Sequence, residues 1–479
     1  AGIDALLKEH GVATFKQLPK EQRARRNALG LSYEDLSIRK INEKRRQYFE
    51  RELERYEPYA FSVYSGAPNG YTSVKALNPI PKDRTGEVPS VFILTGGSLE
   101  SPGDAVTPGV LSAAYASNEL VQPTALNTIP QGAEGRRLAL ANWIVNANNP
   151  LTARVIVNRV WQWHFGRGLV ATPNNFGKMG AKPTHPELLD WLATWFIDHD
   201  YSLKKLHTLI MSSNAYRRAG EPVDVKRTAE LDAKNELLSY FSPRRVAAEE
   251  MRDAMLAVTG ELNPEMGGPG VFPEINWEVA FQPRHIMGSV APAYQPSPEP
   301  HQRNRRTIYA FRFRTLADPM LEVFNRPVSE TSCDRRDETT VTPQVFALFN
   351  SEFASDRAIA LASAVTKYES TLERRISRAF ELVYGRAATD DEIARCSAHV
   401  RAMTEYHRAH PPQPRKLPTS VKRSMVEEMT GLPVEWEESL DELEHYHSDL
   451  KPWDVDAETR ALADVCLVLL NSNEFLYVR

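Results

Sequence analysis

The sequence predicts a mainly α-helical fold: a multi-helix bundle interrupted by long irregular loops and preceded by a small β or extended connector. Apolar residues recur at helical spacing through most of residues 135–260 and 342–478. These stretches are bounded by Ser, Thr, Pro and Gly where helices start and stop. The 33 prolines and 24 glycines gather in particular stretches, so long loops are expected to separate the compact parts.

Residues 32–57 read as one charged helix, with Ser32 as cap and Asp35 three residues on in a near capping box. Residues 58–134 change character. AFSVYSG and SVFILTGG look like short strands, with proline-rich extended pieces between and after them. From 135 the pattern is dense and helical. RRLALANWIV comes first. NPLTARVIVNRVWQWHFG has Thr152 as its expected cap and Gly166 as its end. PTHPELLDWLATWFIDHD is opened by Thr184, and SLKKLHTLIMSSNAY is capped by Ser202. Four helices with short connections suggest an antiparallel bundle.

SPRRVAAEEMRDAMLAVTG, ending at Gly260, is a further helix, followed by an irregular excursion over 263–304. A loop that long in a compact protein is more often functional or interfacial than neutral. RRTIYAFRFRT (305–315) is compatible with a strand or a short helix, and helices are expected over 342–365, 371–385, 389–410 and 458–478. The implied organisation is an N-terminal helical segment (1–57), an extended connector (58–134), a helical core domain (135–410) carrying the 263–304 loop, and a peripheral segment with a C-terminal core helix (411–479). The expected core comprises Trp143, Val155, Val160, Leu189, Leu192, Trp195, Leu206, Ile210, Met255, Leu256, Phe346, Leu348, Phe380, Leu469 and Phe475.

Composition excludes several classes. The 58 basic and 62 acidic residues nearly cancel, whereas a general nucleic-acid binder needs a basic surplus to neutralise phosphates. No apolar run approaches the roughly 20 residues that span a bilayer. The opening AGIDALLKEHG has no basic region followed by an apolar one, so no signal peptide is read there. Cys333, Cys396 and Cys466 are far apart and form neither CxxC nor CxxCH, which excludes covalent c-type haem and cysteine-rich zinc sites and allows at most one disulfide; no cofactor or metal is predicted in this chain. No GxSxG, Walker, HExxH or dinucleotide signature occurs.

Three polar clusters could carry chemistry. Arg159 and Trp163 are helical neighbours, with Asn158, Trp161 and His164 close by and GRG following. An arginine stacked on tryptophan beside a glycine-rich turn suits a sugar or anion, and a helix end that holds its loop explains the same residues. Thr184, His185, Glu187 and Asp190 stand at a helix start, where an anion could bind, although capping accounts for Thr184 and Glu187. Cys333 to Glu338 form a dense charged turn that, with Arg305 and Arg306, makes either a cationic pocket or an internally bridged loop. His285, His301, Trp277 and Tyr294 lie on the irregular loop as a carbohydrate platform or as plugs that pin it. Arg159, His164, His185, Arg305, Arg335 and Asp337 are expected to converge on one cleft beneath the 263–304 loop, with Asp190, Asp337 and Glu338 as acidic partners, because charges on apolar helices need partners.

Several ordered segments together resemble a known family: NPLTARVIVNRVWQWHFGRGLVATPNNFGKMGAKPTHPELLDWLATWF, YSLKKLHTLIMSSNAYRR, SPRRVAAEEMRDAMLAVTG, RRTIYAF, CDRRDETTVTPQVFALFN and LVLLNSNEFLYV. From about Val91 to Arg479 the chain resembles the domain of unknown function 1553, described mainly in planctomycetes and related bacteria. The resemblance implies an exported protein, periplasmic or secreted. It also implies association with an N-terminal c-type cytochrome domain, so that haem would sit upstream of this chain, which would then be the C-terminal portion of a longer protein or a member that has lost its N-terminal part. It assigns no catalytic residue. The leading functional expectation is therefore a redox-associated component of polysaccharide processing. The alternatives are a non-catalytic scaffold or glycan-binding module, and a hydrolase without a recognisable motif. The expected partners are a glycan or other polar ligand and a cytochrome domain or other protein.

Overall fold

The computed structural model describes residues 8, 11, 32–54, 56–57, 90–110, 129–130, 132, 134–147, 149–284, 290–328, 330–426 and 431–478. It is mainly α-helical, with only small antiparallel sheets, as the periodicity predicts. The expected strand AFSVYSG and His285 lie outside the described residues. The chain divides into two compact units: residues 59–244 form one, and residues 1–58 with 245–478 form the other.

In the unit of residues 59–244, Val91–Leu94 pairs antiparallel with Pro102–Val106. The second of these strands lies in a stretch whose proline and glycine content suggests only extended chain. Helix Thr152–Phe165 packs on helix Pro186–Asp198. Val157, Val160, Trp161, Leu189, Leu192 and Phe196 fall at helical spacing and are buried, as are Leu206 and Ile210 of helix Leu203–Met211. Gly166 ends the first of these helices at a left-handed φ of 76°, which glycine adopts without a Cβ penalty.

Two expected caps move by one position. Thr152 is already helical, and its hydroxyl donates to the Ile144 carbonyl. His185, not Thr184, is the residue before the Pro186 helix. The fully buried Asn158 donates through Nδ2 to the Val170 carbonyl at 3.0 Å and accepts from the Val170 amide at 2.8 Å. A Cβ on Gly168 would lie 2.7 Å from that Asn158 amide, so the turn closes only with glycine.

The core of the other unit is built from helices Ala248–Val258, Glu352–Tyr368, Leu372–Tyr384, Asp390–Ala409 and Ala457–Leu470, around Met251, Met255, Leu361, Ile376, Phe380, Cys466 and Leu469. The single helix expected over 342–365 is two, Thr342–Asn350 and Glu352–Tyr368. Ser351 breaks it by capping the second through the Ala354 amide. Phe346 is 59% exposed and not a core residue, because Gln344 and Leu348 hold the buried face of the short helix.

Helix Tyr33–Glu54 starts with the expected capping box. The Asp35 amide donates to Ser32 Oγ, and the Ser32 amide donates to Asp35 Oδ2. Residues 411–457 contain a hairpin, Ser420–Val426 against Pro433–Ser439, which was not expected from their polar sequence. Ile41 of the Tyr33 helix packs with Met425 and Val434 of the hairpin, and Arg45 Nη2 donates to Ser439 Oγ and Asp441 Oδ2. No helix of the described residues is long and apolar enough to cross a membrane. Cys333, Cys396 and Cys466 are free thiols.

Candidate functional site

The polar residues singled out in the sequence fall into both units. Arg159, Trp163, His164, His185 and Asp190 belong to the 59–244 unit; Arg305, Arg306, Arg335 and Asp337 belong to the other.

In the first set, Arg159 donates to Asn174 Oδ1, while Trp163 is 53% exposed. His164 Nε2 and His207 Nδ1 share a proton position at 2.8 Å. Burial, then the His207 and Arg244 charges, hold His164 below the usual histidine range, so it is neutral at pH 7. His185 bonds Thr184 Oγ1, and both line a small pocket with Arg167 and Glu236, themselves an ion pair at 2.9 Å. Asp190 accepts from Arg154 Nε at 2.7 Å on the exposed side of its helix.

In the second set, Arg305 is consumed by the loop. It donates to the carbonyls of Pro269, Glu265 and Gly267 and lies over the Tyr309 ring. Arg306 stands 4.0 Å from Asp253. Arg335 and Asp337 are exposed, and the Asp337 carbonyl accepts from Asn325. Their neighbour Arg336 makes an ion pair with Glu249. Arg305 is thus held by backbone carbonyls and Arg336 by a carboxylate.

A cleft in the 1–58/245–478 unit has a volume of about 580 Å3 and is lined by none of these residues. Its walls come from separate stretches of the chain, one of them Arg415, Lys416 and Leu417 ahead of the hairpin. The irregular loop contributes Glu274 and Trp277. Helix Glu352–Tyr368 contributes Asp356. The segment after the hairpin contributes Tyr446, Lys451 and Trp453. Trp277 is held in place by the aromatic core of the loop, beside Phe281 and edge-on to Tyr446.

At the base of the cleft the Lys451 ammonium donates to Asp356 Oδ2 at 2.7 Å and to Glu274 Oε1 at 3.2 Å. The Tyr446 hydroxyl donates to Glu274 Oε2 at 2.6 Å. Two carboxyl groups therefore share one ammonium. Asp356 is the more buried of the two. Burial pushes its carboxyl up to about 7, against the opposing pull of Lys451. Burial works against the Lys451 charge, but the Asp356 and Glu274 carboxylates more than offset it and hold the ammonium above the usual lysine range. Burial, then the Glu274 charge, push the Tyr446 phenol up, so it stays a donor.

Behind this group, Asp449 receives Arg303 Nη2 on Oδ1 at 2.8 Å and Arg357 Nη2 on Oδ2 at 2.7 Å. Arg357 also pairs with Glu261. Glu274, Asp356 and Asp449 bring oxygen atoms within 4.8 Å of one another, the spacing of a metal site. Lys451, Arg303 and Arg357 already supply the cations such a site would need, and both Asp449 oxygens are engaged.

The family described as protein of unknown function (DUF1553) matches residues 136–400, more than half of the 479-residue chain. The chain belongs to this family. No curated protein and no solved structure matches it. The DUF1553 match contains Glu274 and Asp356, whereas Tyr446, Asp449, Lys451 and Trp453 follow it. The cleft of this DUF1553 protein is thus completed by a segment beyond the matched stretch. One signal for it stands in the sequence: Asp356 and Arg357 interrupt the apolar run of EFASDRAIALASAV, and adjacent opposite charges on a buried helix must each find a partner.

Proposed function

We propose that the cleft around Glu274, Asp356 and Lys451 binds a carbohydrate, and that the protein acts in the recognition or processing of polysaccharides. The observation that carries this reading is the joining of Trp277, Tyr446 and Trp453 with two carboxyl groups and an ammonium in one cleft of about 580 Å3. Aromatic rings offer flat apolar faces to the C–H side of a sugar ring, and fixed donors and acceptors read its hydroxyls. Location in the periplasm or outside the cell, and partnership with a c-type cytochrome domain, belong to the same proposal and are supported by the family resemblance described above.

A printed glycan array tests the reading. Wild-type protein is expected to bind a defined subset of glycans. Trp453→Ala, at a half-buried residue of the cleft wall, is expected to weaken that binding about tenfold or more, which corresponds to roughly 1.4 kcal/mol. Absence of binding by the wild type, or an unchanged profile in the variant, counts against it.

A further inference from the structure

We infer that the pocket between the 167–169 turn, residues 184–185 and the 234–242 loop binds a singly charged oxyanion group, a carboxylate or a sulfate ester. The pocket lies wholly within the 59–244 unit, and the inference stands independently of the carbohydrate reading of the cleft.

Size sets the first limit. The pocket has a volume of about 60 Å3, several times the roughly 10–15 Å3 that one water needs. It is far below the roughly 300–1,000 Å3 of sites that enclose larger ligands. It therefore suits one small group, either free or at the end of a larger molecule.

The lining side chains set the charge. Arg167 and Lys234 line the pocket, and Glu236 is the one carboxylate on its walls. Arg167 Nη2 lies 2.9 Å from Glu236 Oε1, so these two charges cancel. The exposed Lys234 has no carboxylate partner among the described residues, which leaves one uncompensated positive charge. A guanidinium carries five N–H donors, and Glu236 meets only one end of it, so Arg167 keeps donors for a second oxyanion. His185 uses Nδ1 on Thr184 Oγ1 at 3.0 Å, and its Nε2 has no partner among the described residues. Ser242 Oγ accepts from Asn235 Nδ2 at 3.0 Å and keeps its own hydrogen to donate. Trp161 and Phe165, stacked with centroids 4.4 Å apart, add apolar wall that brings no competing acceptor. A group made of acceptors and carrying one negative charge satisfies this set. A dianion exceeds the spare charge, and a cation is repelled by Lys234.

Both walls are fixed. Arg167 stands in the turn that Asn158 locks through its two bonds to Val170. On the other side Asn235 and Leu238 hold left-handed φ angles of 49° and 55°, uncommon for asparagine and strained for leucine. The buried Asn235 keeps this loop in shape by donating to the Tyr240 carbonyl at 2.8 Å and accepting from the Ser239 amide at 2.9 Å. Asp232 adds its carboxylate, which accepts from the Glu236 and Leu237 amides. Backbone strain that surrounding bonds over-determine gathers at ligand clamps. Here it holds Lys234 and Glu236 on either side of Asn235 at the pocket wall.

Isothermal titration calorimetry on the full chain at pH 7 and fixed ionic strength tests the site. The probes are methyl sulfate, acetate, glucuronate and galactose 6-sulfate, with inorganic phosphate and neutral glucose alongside. Wild-type protein is expected to take up at least one of the four monoanions at a single site, phosphate more weakly, and glucose not at all. Uptake of methyl sulfate or acetate assigns the group itself as ligand; uptake of glucuronate or galactose 6-sulfate alone assigns an anionic sugar. Both results support the site. Lys234→Ala should weaken binding about tenfold or more, the loss expected for one charge-assisted contact. Lys234→Glu should abolish it. Lys205→Glu, the same charge change at an exposed helix position of this unit, should leave binding within about twofold. Arg167→Gln should also weaken it, and thermal melting separates unfolding from lost binding. If Arg167→Gln does not fold, the exposed Lys234 decides.

Absence of uptake by the wild type at tens of millimolar probe overturns the inference. So does uptake that survives Lys234→Glu, or an equal loss in Lys205→Glu. Tighter binding of phosphate than of every monoanion overturns the assignment of a singly charged ligand.

Discussion

Asp449→Ala is expected to destabilise the 1–58/245–478 unit by about 3–5 kcal/mol, the cost of removing one partner from a buried ion pair. Asp449 is the carboxylate on which Arg303 and Arg357 meet. Arg357 is fully buried and would keep Glu261 as its carboxylate partner; Arg303 would keep the carbonyls of Ser297, Pro298 and His447 and the Tyr446 ring but no carboxylate among the described residues. Urea melts at pH 7 measure the difference. The pH dependence follows from the lowered Asp449 carboxyl. Burial opposes its ionisation, but Arg357 and Arg303 more than offset this and hold it below the usual range. A depressed carboxyl contributes stability above its unfolded value of about 3.9 and loses it as pH falls through the folded value. The gap between wild type and variant should therefore be full above about pH 5 and shrink through pH 4 and below.

Arg423→Met is expected to cost a similar amount, about 3–5 kcal/mol, by another buried pair. Arg423 donates to Glu438 across the hairpin, to the Ala291 carbonyl at 2.8 Å and to the Gln282 carbonyl at 3.3 Å. Glu438 in turn accepts from the Ala293 amide. The pair thus fastens the hairpin to the loop that also carries Glu274. Removing Arg423 strands the Glu438 charge away from water. Arg423→Met combined with Glu438→Gln should be less destabilised than the sum of the single variants, because the unpaired charge is gone. Chemical denaturation of the four proteins of this cycle gives the coupling; strict additivity would contradict the account.

The helices were legible because one buried face recurs at a fixed spacing. Val157, Val160 and Trp161 mark one, Leu189, Leu192 and Phe196 another, and the starts at Ser32 and Ser202 follow from capping chemistry. Phe346 misled because an exposed aromatic carries the same letter as a buried one, and only Leu348 and Gln344 fix which face turns inward. The hairpin was hidden because two of its inward positions are Arg423 and Glu438, whose burial depends on each other and not on any local pattern. The cleft was hidden for the same reason on a larger scale. Glu274, Asp356 and Lys451 come from three distant stretches, and nothing near any one of them announces the others. The rule that charges on apolar helices seek partners was sound. Its strongest instances are Asp356, which meets Lys451, and Arg357, which meets Asp449, whereas Arg305 satisfies itself on the carbonyls of its own loop.

Hydrogen–deuterium exchange with and without an array-selected oligosaccharide tests the central claim most directly, because it locates the binding surface without presuming a reaction. The account predicts slowed exchange in peptides covering residues 274–278 and 446–454, the walls of the cleft that carry Trp277, Tyr446 and Trp453. Protection confined to peptides covering residues 159–190, with the 274–278 and 446–454 peptides unchanged, would contradict it.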